Sequence, residues 1–111
     1  MATPFPAVGN RYLVDFVEFK VELNFLSATS LTYASVAPDG TRGTPVPVTI
    51  NVEAIGDMLF LVTWQEADKT TVVHVEDYAK NTIITNITNP DLTFEQHHGT
   101  FTPVLSFQTD V

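Results

Sequence analysis

The chain lacks cysteine altogether, and it has only five lysine and arginine side chains in 111 residues. The absence of cysteine excludes a disulfide framework and thiolate chemistry. Thirteen acidic side chains against the five basic ones give a formal net charge of −8. Such a surface repels phosphate backbones and anionic lipid heads, so we expect neither nucleic acid nor a membrane as a partner.

Long apolar runs are also missing. The opening residues have no basic stretch followed by an apolar one, and no window reaches the length of a membrane span, so neither a signal peptide nor a membrane helix is expected. Together with the lack of cysteine, this predicts a cytoplasmic protein. The length suits one hydrophobic core, so we expect a single domain over residues 1–111. Two prolines predict an extended arm over residues 1–9.

No segment shows the 3.6-residue period of an amphipathic helix, whereas strict alternation of apolar and polar side chains is frequent. Residues 19–25 (FKVELNF) alternate in this way, as a strand with one buried face does. About eight such runs follow one another at the spacing of an all-β sandwich or barrel. They cover residues 11–16, 19–25, 30–37, 44–53, 59–66, 70–78, 82–88 and 92–107.

These runs predict an all-β fold, namely a single eight-stranded antiparallel up-and-down barrel with a central cavity. Sequential hairpins are the usual connection between neighbouring strands. A closed barrel is favoured over an open sandwich because closure removes the exposed sheet edges and leaves an interior that can hold one small ligand.

The best-patterned pair of strands is the hairpin predicted over residues 59–78, which holds the only tryptophan, Trp64. If the residues that flank its turn pair with each other, His74 shares the face of Trp64 and Glu66. A shift of one residue would place Asp77 on that face instead, because side chains alternate along a strand. The sequence leaves these two registers open.

Glu66 and His74 are the candidate acid–base residues of this hairpin. A carboxyl group against an apolar wall gains basicity and can transfer protons near neutral pH. The alternative is that Glu66, one residue from the turn, is simply solvated at the barrel mouth. Trp64 is expected in the core, where it can also form part of a ligand surface.

Arg11 and His97 are candidates at the seam of the barrel. Arg11 begins the first strand, which in a closed barrel neighbours the last one, near His97 or Phe101. An arginine there can hold a carboxylate or enolate with two hydrogen bonds, and a salt bridge across the seam is the alternative. His97 and His98 are adjacent, so they point to opposite faces and are not expected to share a metal ion. We predict no metal site and no cofactor.

Several of these residues resemble a known family, the MoaF-like family of small calycin barrels. The resemblance covers residues 9–101. It is carried by 23–25 (LNF), 31–33 (LTY), 60–66 (FLVTWQE), 72–78 (VVHVEDY), Phe94 and Gly99. It implies a lipocalin-like barrel with a central cavity, with Trp64, Glu66, His74 and Asp77 at matching positions. Full-length relatives carry two such barrels, which suggests that this single barrel could pair as a homodimer. A molybdopterin ligand is not expected, because that molecule is strongly anionic and this chain has few cations.

Three functions are compatible with these patterns. The first is a binding barrel for a small apolar or aromatic molecule. Its candidate ligand contacts are Trp64, Tyr33, Arg11, Phe25, Phe60, Asp77 and His97.

The second function is that of a cofactor-free lyase or isomerase acting on a carbonyl or phenolic substrate. In that case Glu66 or His74 is the acid–base group, and Tyr33 or Arg11 stabilises the oxyanion. The third is a structural or interaction domain, which would need an exposed apolar patch. A buried carboxylate facing a histidine or arginine across the cavity would favour the enzyme, and an apolar cavity would favour the binding protein.

Overall fold

The computed structural model describes residues 5–104, and within them the chain forms nine strands and no helix. The strands are β1 (Arg11–Asp15), β2 (Lys20–Ser27), β3 (Ser30–Val36), β4 (Val46–Thr49), β5 (Asn51–Gly56), β6 (Leu59–Gln65), β7 (Thr71–Asp77), β8 (Thr82–Thr88) and β9 (Phe94–Pro103). The described part of the chain therefore contains no helix that is long and apolar enough to cross a membrane.

All nine strands belong to one antiparallel sheet with the order β4-β3-β2-β1-β9-β8-β7-β6-β5. Hairpins join most neighbours, and β1 pairs with β9, so the first and last strands lie side by side as predicted. β4 and β5 are consecutive in the chain yet occupy opposite edges of the sheet, and β4 also lies beside β6. The sheet is therefore curled into a nearly closed barrel, which confirms the predicted all-β up-and-down fold.

The number of strands differs from the prediction because the run 44–53 is not one strand. Its first half pairs with β3 as β4, and its second half pairs with β6 as β5. Ile50 lies between them, is only 1% exposed, and donates its N–H to the carbonyl of Thr29 at 2.9 Å. One predicted strand thus bends at a buried residue and passes from one edge of the sheet to the other.

The N-terminal segment differs from the extended arm that the prolines predicted. Residues 6–9 form a turn, and the N–H of Gly9 donates to the carbonyl of Phe25 at 2.8 Å. Ala7 is fully buried. Residues 1–4 of the predicted arm, and residues 105–107 of the predicted last run, lie outside the described residues.

Six aromatic rings fill the barrel end that this turn covers, and we call them the aromatic plug. Their centroids lie 4.9–6.1 Å from their neighbours, mostly in edge-to-face contact. This geometry is the favourable one for aromatic pairs. The plug consists of Phe5, Tyr12, Phe25, Phe60, Tyr78 and Phe101. The plug fills one end of the barrel, so any cavity in the barrel interior must lie toward the other end.

Gly99 of β9 marks the closest approach of the last strand to the first. A Cβ atom at this position would lie 2.5 Å from the carbonyl oxygen of Asp15 and 2.7 Å from Cδ1 of Phe16. The first of these neighbours is backbone, which cannot move aside without disturbing the β1–β9 pairing. Only a glycine fits here.

We predict that Gly99→Ala lowers the free energy of unfolding by about 1–3 kcal/mol, because the added methyl group overpacks the seam. Urea unfolding at neutral pH measures the loss. Gly56→Ala is the matched control, since its Cβ would meet only the flexible side chain of Leu59, at 3.3 Å. Equal losses in the two variants would contradict this account of the seam.

Candidate functional site

The barrel interior opposite the aromatic plug contains a cavity of about 120 Å³. It lies toward the end that carries the turns β1–β2, β6–β7 and β8–β9. Most of its wall is apolar. The lining residues are Val14, Phe16, Phe19, Val21, Leu23, Tyr33, Trp64, Glu66, Val72, His74, Thr85 and Ile87.

The observed register of the β6–β7 hairpin decides which side chains face this cavity. Val62 lies opposite His74, which places His74 beside Trp64 on the inner face. The two rings meet edge to face with their centroids 4.8 Å apart. Asp77 has the opposite parity and lies outside the cavity wall, where its carboxylate accepts the N–H of Ala79 at 2.9 Å. Of the two open registers, the structure has the one with His74, and Asp77 does not reach the cavity.

Glu76 forms the centre of a buried polar chain beneath the cavity. Its side chain is almost completely buried, and each carboxylate oxygen has a partner. The hydroxyl of Tyr78 donates to Oε1 at 2.7 Å, and Nδ1 of His74 lies 2.9 Å from Oε2. Burial, and secondly the charge of Glu76, raise the pKa of Tyr78 above its ordinary value, so this hydroxyl keeps its proton and donates.

This chain sets the tautomer of His74. In the neutral imidazole, an Nδ1–H that donates to the carboxylate leaves the lone pair on the second ring nitrogen, Nε2. No residue in the described range 5–104 forms a hydrogen bond with Nε2, and the ring lies on the cavity wall. In its neutral form His74 therefore has an acceptor nitrogen without a partner among these residues, on a ring that lines the cavity and is held in place by Glu76.

Thr85 of β8 lines the same wall, with its hydroxyl group buried behind the surface of the cavity. It lies directly opposite His74 across the β7–β8 pair, and residues paired in this way have Cβ atoms about 5 Å apart. Its hydroxyl is buried and has no hydrogen-bond partner among the described residues. An unsatisfied buried hydroxyl lowers stability by about 1–3 kcal/mol, so this group is suited to a polar atom of a ligand. We call His74 Nε2 and Thr85 Oγ1 the polar corner.

Glu66 lies nearer the mouth, where it is half-buried. Its Oε2 accepts the indole N–H of Trp64 at 3.1 Å. The ring of Tyr33 stacks on Trp64 with a centroid separation of 6.0 Å and an angle of 22°. Burial, and secondly the neighbouring charge of Glu66, raise the pKa of Tyr33 to about 12. Tyr33 is therefore an uncharged wall of the cavity at neutral pH.

We predict that Tyr33 ionises near pH 12, which a difference titration at 295 nm between the natural protein and Tyr33→Phe would show. Folding favours the protonated form of Tyr33. Its contribution to the free energy of unfolding is therefore fully present below pH 10, the ordinary pKa, and is lost as the pH rises through about 12, the pKa in the folded protein.

In the same titration, Glu66→Gln should lower the pKa of Tyr33 part of the way toward its ordinary value, because burial remains. Glu53→Gln, on the exposed strand β5, is the matched control and should leave it unchanged. A Tyr33 transition at its ordinary value in the natural protein would show that the hydroxyl is neither buried nor near the carboxylate, and an unchanged value in Glu66→Gln would show that Glu66 does not face it.

Four other residues predicted as ligand contacts lie elsewhere. Arg11 alternates with the inward Tyr12 along β1, so it lies on the outer face. Phe25 and Phe60 belong to the aromatic plug and support the cavity from below. His97 lies at the mouth outside the lining, and its role in binding stays a prediction.

His97 nevertheless contacts a residue of the cavity wall. Its ring packs edge to face on Phe19 with a centroid separation of 5.0 Å. Its Nε2 lies 2.9 Å from Oε1 of Glu95. Within the described range, no three His, Cys, Asp or Glu side chains are grouped as a metal site requires.

The sequence pattern alone does not single out Glu76 and Thr85 as site residues. Glu76 has the same parity as His74 two positions earlier, and this spacing was a usable signal for a contact between them. Thr85 lies among similar threonines and isoleucines in 82–88 (TIITNIT), and only the pairing of β8 with β7 singles it out.

These features define a class, the small antiparallel β-barrels that enclose a cavity. The chain belongs to the MoaF-like family, whose model matches residues 8–102. No curated protein is similar enough to the chain to count as a match. A crystal structure from Burkholderia vietnamiensis, of a protein described as a candidate beta-lactamase, is similar with a TM-score of 0.81 and 25% identity. The likeness covers 94% of this chain and 100% of that one.

Proposed function

We propose that this protein is a lipocalin-like binding barrel for a small, neutral, largely apolar molecule of about one aromatic ring. The observation that carries the proposal is the apolar cavity of about 120 Å³ with a polar corner at His74 and Thr85. An engineered apolar cavity of about 150 Å³ in another protein binds benzene. A single ring is therefore the size of ligand that this cavity suits.

The charges around the cavity support a neutral ligand. The carboxylate of Glu66 lies on the wall and that of Glu76 lies just beneath it. The residues that line the cavity include no lysine or arginine. A carboxylate or phosphate ligand would be repelled and would find no cation to pair with.

Trp64 provides a direct test of binding, because it is the only tryptophan and its indole N–H gives a single signal in a ¹H–¹⁵N spectrum. Titration with toluene should shift this signal in a saturable way, since the ring enters the cavity beside Trp64. Val72→Phe, which fills the cavity, should weaken the binding about tenfold or more.

The matched control is Val73→Phe. Val73 is the next residue on β7 and has the opposite parity, so its side chain points away from the cavity. This variant should bind toluene as the natural protein does. Equal affinity of the Val72 and Val73 variants would show that toluene binds outside the cavity, and the absence of any saturable shift would contradict the proposal.

A second candidate function is cofactor-free acid–base catalysis, as in a lyase or isomerase acting on a carbonyl or phenolic substrate. The Tyr78–Glu76–His74 chain favours it, because a carboxylate-held imidazole with a free Nε2 is a suitable general base. Glu66 suits this role less, since it is bound to Trp64 at the mouth. Arg11 lies outside the cavity, which leaves Tyr33 as the candidate oxyanion donor. Binding alone needs no such donor, so it is the better-supported function.

The description of the Burkholderia vietnamiensis protein does not extend to this chain in our proposal. Serine beta-lactamases use an activated serine, and the residues that line this cavity include no serine. The hydroxyl of Thr85 has no hydrogen bond to His74 in the described structure, so it lacks the geometry of an activated nucleophile. We propose no lactam hydrolysis.

A further inference from the structure

We infer that the ligand of this barrel is a ring-sized molecule with one hydroxyl group, such as a phenol or an enol, held between His74 Nε2 and Thr85 Oγ1. The inference rests on the proposed binding function and adds the chemical class of the ligand. Its basis is the polar corner, which lies in an otherwise apolar part of the wall.

The two atoms of the polar corner have different hydrogen-bonding capacities. In the neutral ring Nε2 of His74 only accepts, because the other nitrogen, Nδ1, holds its proton toward Glu76. Oγ1 of Thr85 can donate as well as accept. The two residues are opposite one another across β7 and β8, so a ligand group that enters between them, with the Thr85 side chain turned toward the cavity, meets both atoms.

A hydroxyl group is the simplest group that satisfies both atoms. It donates its proton to Nε2 and accepts the proton of the Thr85 hydroxyl. A ketone or ether oxygen only accepts and would leave Nε2 without a donor, and an indole N–H only donates and would leave Thr85 without an acceptor. A carboxylate would bring a second charge toward Glu76, which lies 2.9 Å behind His74.

The shape of the wall favours a planar ring as the carrier of this hydroxyl. The ring of Trp64 lies edge-on to His74, and Tyr33 stacks behind Trp64. A flat apolar molecule can pack against these rings while its hydroxyl group reaches the polar corner.

The test compares phenol with toluene, which are nearly equal in shape and differ in the hydroxyl group. Both are titrated into the natural protein and into Thr85→Val, with the Trp64 indole N–H as the signal. Thr85→Val should weaken phenol binding by roughly fivefold to tenfold, the value of one hydrogen bond. It should leave toluene binding unchanged or slightly tighter.

Thr85→Ser is the matched control, because it keeps the hydroxyl and should retain the phenol affinity of the natural protein. Valine has the shape of threonine and suits a strand, so Thr85→Val should fold, and the dispersion of its spectrum would show this. If phenol and toluene both bind and Thr85→Val weakens them equally or not at all, the hydroxyl inference is wrong and the binding function stands. If neither molecule shifts the signal in the natural protein, the proposed function itself fails.

Discussion

The burial of the Glu76 carboxylate is the constraint around which the interior of this barrel is arranged. A charged group that is only 1% exposed is strongly unfavourable unless it is paired and hydrogen-bonded. Here two donors satisfy it, Tyr78 from the side of the aromatic plug and His74 from the side of the cavity. One side chain thus links the filled half of the barrel to the half that contains the cavity. Loss of either partner would leave one buried carboxylate oxygen without a hydrogen bond, which is costly.

The same carboxylate gives the cavity its chemistry. It holds the proton of His74 on Nδ1, so Nε2 faces the cavity as an acceptor, and Thr85 places a hydroxyl beside it. The rest of the wall is apolar or aromatic, and the chain as a whole carries a net charge of −8. We propose that this cavity selects ligands by size, flatness and one hydrogen-bonding position, and that charge acts only to exclude anions.

The features that the sequence predicted are those that depend on local alternation. Period-two patterning was enough for the all-β fold and for the shared face of Trp64 and Glu66. It also showed that the choice between His74 and Asp77 depends on the register of the β6–β7 hairpin alone, which the sequence left open. The bend at Ile50 was not predictable, because a β-branched run without glycine contains no signal for a corner. The position of Thr85 opposite His74 depends on the pairing of β7 with β8, which is set by packing of the whole barrel. The prediction that Arg11 reaches the cavity rests on its charge and on its place at the start of β1, whereas its alternation with Tyr12 and Val14 indicates the outer face.

The central claim is that Glu76 fixes His74 with its lone pair toward the cavity. Long-range ¹H–¹⁵N correlation of the imidazole groups at neutral pH measures this directly. The sequence has three histidines, so His97→Gln and His98→Gln identify the His74 signals without altering the buried chain. The account predicts a protonated Nδ1 and an unprotonated Nε2 for His74. A His74 ring with a proton on Nε2, whether or not Nδ1 is also protonated, would contradict it.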